Sequence, residues 1–333
     1  MKSPFSICLI LFIALPNIIF AQQSGFKVDK TFHIVSSGGW DYIAVGPNNN
    51  RIYVSHGTQV NILDETTGDS VGVIPGTTGV HGIAFAASLN KGYTSNGRLN
   101  NVTVFDLKTN QIITQIATGQ NPDAIMYDEF SKKIITCNGR SKDLSVIDPA
   151  TDKVVATIPV AGKPETAVSD GAGKIYVNVE DKSEISAINI STNTVEASWS
   201  IAPGEGPTGL AIDKKTKRLF AGCDKLLIVV DATNGKVVDK LTIADGCDGV
   251  CFDSGLKYVF ASCGEGKLSI IEELSADKFK VIDNVETKRS ARTSAVDEKK
   301  HEVFLPAADT EKAVAGERPK MIPGTFQVLV VKK

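Results

Sequence analysis

The stretch Lys133-Ile134-Ile135-Thr136-Cys137-Asn138, with Ser145-Val146-Ile147-Asp148 shortly after it, decides the fold because both segments recur along the chain. The second segment ends in an acidic or amide residue at positions 64, 106, 148, 189, 231 and 272, so the steps are 42, 42, 41, 42 and 41 residues. Self-similarity at a fixed period of about 20 to 50 residues is the signature of a repeat architecture. The spacing therefore predicts a chain built from equivalent units of about 42 residues.

Each repeat reads as a set of short β-strands. Its apolar runs are rich in β-branched and aromatic residues and are bounded by Gly, Asn, Asp and Pro. Turn signals such as Thr109-Asn110 and Asn234-Gly235 follow the third run of a repeat. Helical periodicity is absent after the N-terminal segment. We predict an all-β protein in which each unit contributes four antiparallel strands and the units stack around an axis.

The count of strands predicts how the ring closes. Seven units fit the chain, but the last unit reaches Lys333 after only three strands. Residues 26–35 precede the first unit and can supply the missing strand. We therefore predict a seven-bladed β-propeller over residues 22–333, closed by an N-terminal strand, with an insertion loop at 306–323 in the last blade.

These repeats resemble those of the seven-bladed YVTN-repeat β-propellers, a family of exported proteins. The segments Tyr93-Thr94-Ser95-Asn96 and Ser145-Val146-Ile147-Asp148-Pro149 are near matches to the family pattern, as are the links Gly119-Gln120-Asn121-Pro122 and Gly162-Lys163-Pro164. The resemblance covers residues 26–333 and implies the fold, whereas it implies little about activity, because the scaffold hosts several functions.

The N-terminus reads as a signal for export. An apolar run at 7–15 extends to 18–20, and Ala21 precedes the polar pair Gln22-Gln23. We predict a signal peptide over residues 1–21; the alternative, a membrane anchor, is less consistent with the break at Pro16-Asn17. The expected product is a periplasmic or secreted monomer with no membrane span. A net charge of -2 gives it no general attraction for nucleic acid.

Five cysteines lie beyond the predicted signal peptide, at positions 137, 223, 247, 251 and 263. An oxidising compartment permits disulfides, and four of the five cysteines lie close together in sequence. Their odd number leaves at least one thiol unpaired. The sequence allows two arrangements: one local disulfide, or buried thiols that behave as small apolar residues.

Ionisable residues stand where six of the seven repeats enter their first strand, and Thr208 has this position in the fifth. In a propeller the first strand lines the central channel, so these residues are expected at one channel mouth. They are Asp41, His81, Asp123, Glu165, Asp248 and Arg292. Carboxylates with one imidazole suit Ca²⁺ or a divalent transition metal, which makes Asp41, His81, Asp123, Glu165 and Asp248 candidate metal ligands, although no local motif supports them.

A second set of polar residues ends the second strand of several repeats, and we expect it to form an outer ring on the same face. It contains His56, Asn96, Asn138 and Asn178, and Arg98 and Arg140 follow at equivalent positions of neighbouring repeats. Two arginines there are suited to hold a carboxylate or phosphate. The alternative is a solvated rim with no specific ligand, in which the asparagines only form turns.

Three functions remain open on these residues. The first is a binding protein that presents its channel mouth to a small anionic molecule, a peptide or a protein. The second is a hydrolase or lyase of the lactonase type, with a metal or His81 at the same mouth, since the resemblance to propellers that open lactones implies it. The third is a structural role in a surface layer, which the mixed charges of the outer strands disfavour.

Overall fold

The computed structural model describes residues 24–35, 38–47, 50–311 and 320–333. They form seven antiparallel sheets of four strands each, arranged as the blades of a propeller. The predicted all-β, seven-bladed fold is confirmed. The predicted signal peptide at 1–21 lies outside the described residues. Within the described part, no helix is long and apolar enough to span a membrane.

The blades follow the chain in order, and β1 (Lys27–His33) precedes the first of them. Blade 1 contains β2 (Trp40–Val45), β3 (Arg51–His56), β4 (Gln59–Asp64) and β5 (Ser70–Ile74). Blade 2 contains β6 (Val80–Ala86), β7 (Lys91–Asn96), β8 (Asn101–Asp106) and β9 (Ile112–Ala117). Blade 3 contains β10 (Pro122–Asp128), β11 (Lys133–Asn138), β12 (Asp143–Asp148) and β13 (Lys153–Pro159). Short 3₁₀ turns at Ala87–Leu89 and Glu180–Lys182 connect strands of blades 2 and 4.

The second half of the ring repeats the plan. Blade 4 contains β14 (Pro164–Ser169), β15 (Lys174–Val179), β16 (Glu184–Asn189) and β17 (Thr194–Ser200). Blade 5 contains β18 (Leu210–Asp213), β19 (Arg218–Cys223), β20 (Leu226–Asp231) and β21 (Val237–Thr242). Blade 6 contains β22 (Cys247–Asp253), β23 (Tyr258–Cys263), β24 (Lys267–Ser275) and β25 (Lys278–Glu286). Blade 7 contains β26 (Ala295–Asp297), β27 (Glu302–Ala307) and β28 (Gln327–Lys332).

The N-terminal strand completes blade 7, as the sequence predicts. β1 pairs antiparallel with β28, in the register Lys27 opposite Lys332 and His33 opposite Gln327. The sheet order is β1-β28-β27-β26, so the first strand of the chain is the outermost strand of the last blade. This arrangement removes the free end that an open stack of blades would expose.

Burial along the strands shows where the core lies. The second and third strands of a blade, such as β7 and β8, are buried at nearly every position, whereas the outer strand β13 alternates between exposed and half-buried residues. A sheet packed on both faces has continuous apolar runs, and an edge strand does not. The hydrophobic core therefore lies between blades, where Tyr53 of blade 1 packs against Phe85 and Phe105 of blade 2.

The recurring aspartates cap the turn after the third strand. Asp64 Oδ1 accepts the backbone N–H groups of Thr66 and Thr67 at 2.8 and 2.9 Å. Asp106, Asp148 and Asp231 make the same contact with the residue two positions on. These hydrogen bonds lower the pKa of Asp64. The aspartates that carry the repeat signal therefore hold the turns and are not candidates for chemistry.

The five cysteines are all free thiols in the structure. Four of them are buried, and Cys251 is half-buried. Cys247 and Cys263 are opposite each other on β22 and β23, but no disulfide joins them. Of the two arrangements that the sequence allows, the structure therefore has the second, in which the thiols act as small apolar core residues.

Candidate functional site

The first strands of the blades are held in place by hydrogen bonds across the seams between blades. Thr293 Oγ1 of blade 7 donates to the carbonyl of Asp41 in blade 1 at 2.5 Å, and the Asp41 N–H donates to Ser55 Oγ at 3.1 Å. Ser262 of blade 6 donates to the carbonyl of Arg292 at 2.7 Å. The backbone at Asp41 is therefore held by blade 7 and from within its own blade, and the backbone at Arg292 is held by blade 6.

A β-bulge at the start of several first strands directs these side chains. The register shifts between Trp40 and Ile43 in β2, between Val80 and Ile83 in β6, and between Pro122 and Ile125 in β10. Each irregularity contains one predicted mouth residue: Asp41, His81 or Asp123. Bulges commonly re-aim a side chain beside a functional site.

The structure brings Asp41, His81 and Asp123 together from three consecutive blades. His81 Nδ1 lies 2.6 Å from Asp41 Oδ2 and 3.7 Å from Asp123 Oδ1. One ligand atom from each residue lies within 4.8 Å of the other two. The three side chains are 26%, 15% and 14% exposed, in the order His81, Asp41, Asp123. They form a compact, half-buried group that faces the channel mouth.

Arg292 connects this group to blade 6. Its guanidinium lies 3.2 Å from Asp41 Oδ1 and also pairs with Asp248. The Asp248 carboxylate is thus turned toward arginine rather than toward His81. Arg292 thus pairs with two carboxylates. Asp41 also contacts His81, whereas Asp248, among the described residues, pairs with Arg292 alone.

Glu165 stands at the other side of the group, in blade 4. It is buried, and Lys163 pairs both with it and with Glu180. Lys163 lies in the link that the sequence analysis assigned only to a turn between blades. The structure thus adds a cation to the mouth that the reading of first-strand residues missed.

The ring of Tyr42 lies beside the ionisable residues. It belongs to blade 1, yet its ring packs against the hydrophobic cluster of blades 3 and 4 that contains Ala124 and Ala167. Its pKa is raised well above the usual value, first by burial and then by the charges of Asp123, Asp41 and Glu165. The side chain therefore reaches from blade 1 across to blades 3 and 4 beside the ionisable residues, and we call these residues together with the Tyr42 ring the cup.

The cup perturbs the ionisation of the groups that it contains. Burial lowers the pKa of His81, but the hydrogen bond with Asp41 and the charges of Asp123, Asp41 and Glu165 outweigh it, so the net shift is upward. Burial raises the pKa of the Asp123 and Glu165 carboxyls, and the charge of Asp41 adds to the shift of Asp123 as that of Asp123 adds to the shift of Glu165. Groups with such shifts cluster at functional sites.

The predicted outer ring lies inside the blades. Asn96 is fully buried; its side-chain amide donates to Asn101 Oδ1 at 2.8 Å and Thr103 Oγ1 at 2.9 Å and accepts from Thr94 at 3.0 Å. Asn138 makes the equivalent three contacts in blade 3. Their polar atoms are occupied within the blade, so these amides tie neighbouring strands together and do not form a ligand-facing ring.

His56 and Asn178 are also buried. His56 Nε2 lies 2.9 Å from the carbonyl oxygen of Gly38, and the ring stacks on Phe326 at 4.0 Å between centroids. Asn178 Nδ2 donates at 3.0 Å to the carbonyls of Thr208 and Gly209 in blade 5. Both residues support blade contacts.

Arg98 and Arg140 are exposed, in contrast to the asparagines that precede them by two positions. Among the described residues, neither arginine makes an ion pair. The base of the 306–323 insertion stands on the same face, where Ser290 Oγ donates to the carbonyl of Ala308 at 2.9 Å and residues 309–311 pair with 320–322. Its tip, residues 312–319, lies outside the described residues.

Two cavities, of about 380 and 290 Å³, lie away from this cup. Both are lined by Glu65 and Lys300, at the seam between blades 7 and 1 and at the opposite end of the first strands. Lys300 Nζ lies 3.1 Å from Glu65 Oε1 and 4.0 Å from Asp297 Oδ2. These cavities border an internal ion-pair network of the ring closure.

Fold and cup together define a seven-bladed β-propeller with an ionisable channel mouth. No family model matches the chain, and no curated protein matches it. Among solved structures, Kuenenia stuttgartiensis Hydrazine Synthase is similar, with a TM-score of 0.74 and 14% sequence identity over 89% of this chain and 97% of that one. At this identity the likeness concerns the fold alone. Membership of the YVTN-repeat family stays a prediction.

Proposed function

We propose that this chain is an exported binding protein that holds a small anionic molecule at the channel mouth. The observation that supports the proposal is the cup, in which ionisable side chains from six blades, all except blade 5, meet beside the ring of Tyr42. A few convergent polar groups beside a buried aromatic ring are typical of a small-molecule site. Propellers commonly serve as rigid scaffolds for such sites.

The ligand class follows from the charges at the rim. Arg98 and Arg140 occupy equivalent positions in blades 2 and 3, are exposed, and carry no internal counter-ion in the described structure. Their guanidinium groups can bind carboxylate or phosphate oxygens in pairs. A peptide or protein partner would instead contact the whole rim. A chain that binds such a partner should show no thermal shift with small anions.

Thermal unfolding of the full chain tests this proposal. Succinate, citrate and inorganic phosphate are added one at a time, and at least one of them should raise the melting temperature by mass action. The Arg98→Gln/Arg140→Gln double variant should lose this shift. Lys153→Gln/Lys236→Gln removes the same charge from exposed positions on or beside outer strands and is the matched control. An equal shift in all three proteins would count against the site.

The alternative function is a hydrolase or lyase. The contact of 2.6 Å between Asp41 Oδ2 and His81 Nδ1 favours it, because a carboxylate that orients an imidazole is a common arrangement for a general base. In that case the full chain should hydrolyse simple lactones or aryl esters, and His81→Gln should abolish the reaction. Binding without turnover by the wild-type chain supports the first function.

A further inference from the structure

We infer that the channel mouth binds a divalent transition-metal ion through Asp41, His81 and Asp123. The inference rests on the proposed function in one respect, since it places the metal at the same mouth as the anionic ligand. The three side chains come from blades 1, 2 and 3 and present one nitrogen and two oxygens within 4.8 Å of one another. Donors that share a metal at bond lengths of about 2.0–2.2 Å lie roughly 3 to 4 Å apart, which this group approaches.

The ion pairs around the cup select these three residues from the five predicted by sequence. Asp248 is paired with Arg292, and Glu165 is paired with Lys163. Asp123 differs from both, because no lysine or arginine of the described chain lies within ion-pair distance of it. Its carboxylate is only 14% exposed, and its nearest charged partner is His81 at 3.7 Å. A half-buried carboxylate without a cation is a position that a metal ion would neutralise.

The charge of the cup points the same way. Four carboxylates, Asp41, Asp123, Glu165 and Asp248, stand against the two permanent cations Arg292 and Lys163. Without a metal, this surplus of negative charge would leave an anionic ligand to be held at the rim by Arg98 and Arg140. A divalent cation between Asp41 and Asp123 cancels the surplus and gives the anion a positive partner beneath the rim arginines.

The donor set limits the class of metal. Two carboxylates and one imidazole suit Mn²⁺, Fe²⁺, Co²⁺ or Zn²⁺, whereas Ca²⁺ and Mg²⁺ prefer sites made only of oxygen ligands. Three protein ligands leave coordination positions open, as in catalytic rather than structural metal sites. Those open positions face the cup, where a carboxylate or phosphate group of the ligand can complete the coordination.

Gly97 is a positioning residue for this group. A Cβ atom at position 97 would stand 2.6 Å from His81 Nε2, closer than real contacts allow, so any side chain there pushes the imidazole aside. Gly139 is the equivalent residue of blade 3, and a Cβ there would meet its nearest neighbour, Asn121 Nδ2, at 3.4 Å. Gly97→Ala and Gly139→Ala are therefore matched variants: the first displaces His81 and the second does not.

The test uses the full chain after treatment with a chelator. Zn²⁺ and Co²⁺ are titrated by calorimetry, and bound Co²⁺ is followed by its visible absorption. We expect one strong equivalent for the wild type, an affinity at least about tenfold weaker for Asp123→Asn and Gly97→Ala, and unchanged affinity for Gly139→Ala. Glu180→Gln removes a carboxylate of the same face outside the group and should also retain the metal. Circular dichroism confirms that each variant is folded.

The outcomes separate the two proposals. If the wild type binds no metal but still shows the anion-dependent thermal shift, the metal inference is wrong and the binding function stands. If Glu180→Gln weakens Zn²⁺ as much as Asp123→Asn, the ion is held by general negative charge and the assigned ligands are wrong. If metal binds as expected while no anion shifts the melting temperature, the metal site stands and the proposed ligand falls.

Discussion

Phe26, just before the first strand, packs edge-on against Phe260 of blade 6, with 5.3 Å between ring centroids. Phe26 is buried, and it also lies 6.3 Å from the ring of Tyr258. The N-terminal segment is therefore held twice, by the pairing of β1 with β28 and by an aromatic contact with the neighbouring blade. This double attachment makes the closure of the ring a measurable contribution to stability.

We predict that Phe26→Ala destabilises the propeller by about 3 to 5 kcal/mol, because it removes a buried aromatic side chain and leaves a cavity at the closing seam. Lys27→Ala, one residue further on at an exposed position, is the control and should change stability by less than about 0.5 kcal/mol. Urea denaturation followed by fluorescence measures both. Similar midpoints for the two variants would mean that the N-terminal strand contributes little to closure.

The second prediction concerns a buried pair of carboxyls between blades 5 and 6. Thr216 Oγ1 lies 2.7 Å from Asp213 Oδ2 and 2.8 Å from Glu273 Oε1, but its hydroxyl has a single proton to donate. Burial, together with the charge of Asp213, raises the pKa of Glu273 from 4.5 to about 7. A carboxyl whose pKa is raised by folding stabilises the folded state fully when the pH is below its pKa in the unfolded chain. This stabilisation is lost as the pH rises through its pKa in the folded protein.

Stability should therefore fall between pH 4.5 and 7, and Glu273→Gln should remove part of that fall. Between pH 5 and pH 8, the free energy of unfolding of the wild type should fall by on the order of 2 kcal/mol more than that of the variant. Urea midpoints at the two pH values give this difference. Glu272→Gln, at the neighbouring half-buried position, should retain the pH profile of the wild type. If the stability of Glu273→Gln changes with pH in parallel with that of the wild type, the pKa of this carboxyl is not raised by folding.

The third prediction separates a structural amide from an exposed arginine. Asn138→Ala leaves Asp143, Ser145 and Thr136 without their partner inside blade 3 and should destabilise the protein by about 1 to 3 kcal/mol. Arg140→Ala, two residues later and exposed, should leave the melting temperature unchanged. Thermal unfolding without added ligand measures both. A stable Asn138→Ala variant would return this residue to the set of candidate ligand-binding residues.

The fourth prediction concerns the thiols. Burial raises the pKa of Cys251 to about 11 and that of Cys223 to about 12, so neither thiol forms an appreciable thiolate at pH 8. The folded protein should react with a disulfide reagent at least about a hundredfold more slowly than the unfolded protein. Cys251, which is only half-buried, should be the first to react. Rapid labelling of the native chain would contradict the buried-thiol assignment.

The repeat spacing could predict the ring, because a fixed step along the chain becomes a fixed rotation between blades. For the same reason it placed Asp41, His81 and Asp123 at one mouth. It could not predict that Asp248 turns to Arg292, since that depends on side-chain directions across a seam. The role of Tyr42 was equally hidden, because its partners belong to blades 3 and 4.

The fate of the asparagines shows a different limit. Asn96 and Asn138 end their strands in a way that suggests an exposed turn, and the sequence analysis placed them on the rim. The structure buries them because Asn101 and Asp143, five positions on, lie directly opposite across the hairpin and accept their amide protons. A pairing register of this kind could have been deduced from the regular hairpin length, whereas the degree of burial could not.

The pairing of β1 with β28 has a consequence for the order of events during synthesis. β1 has no partner until β28, about 300 residues further along the chain, has been synthesised, so blade 7 is completed after the other six blades. Six blades can form beforehand as an incomplete arc, and the final docking step joins segments about 300 residues apart in sequence. Loss of β28 alone would thus separate β1 from the β27-β26 pair and leave the whole arc open.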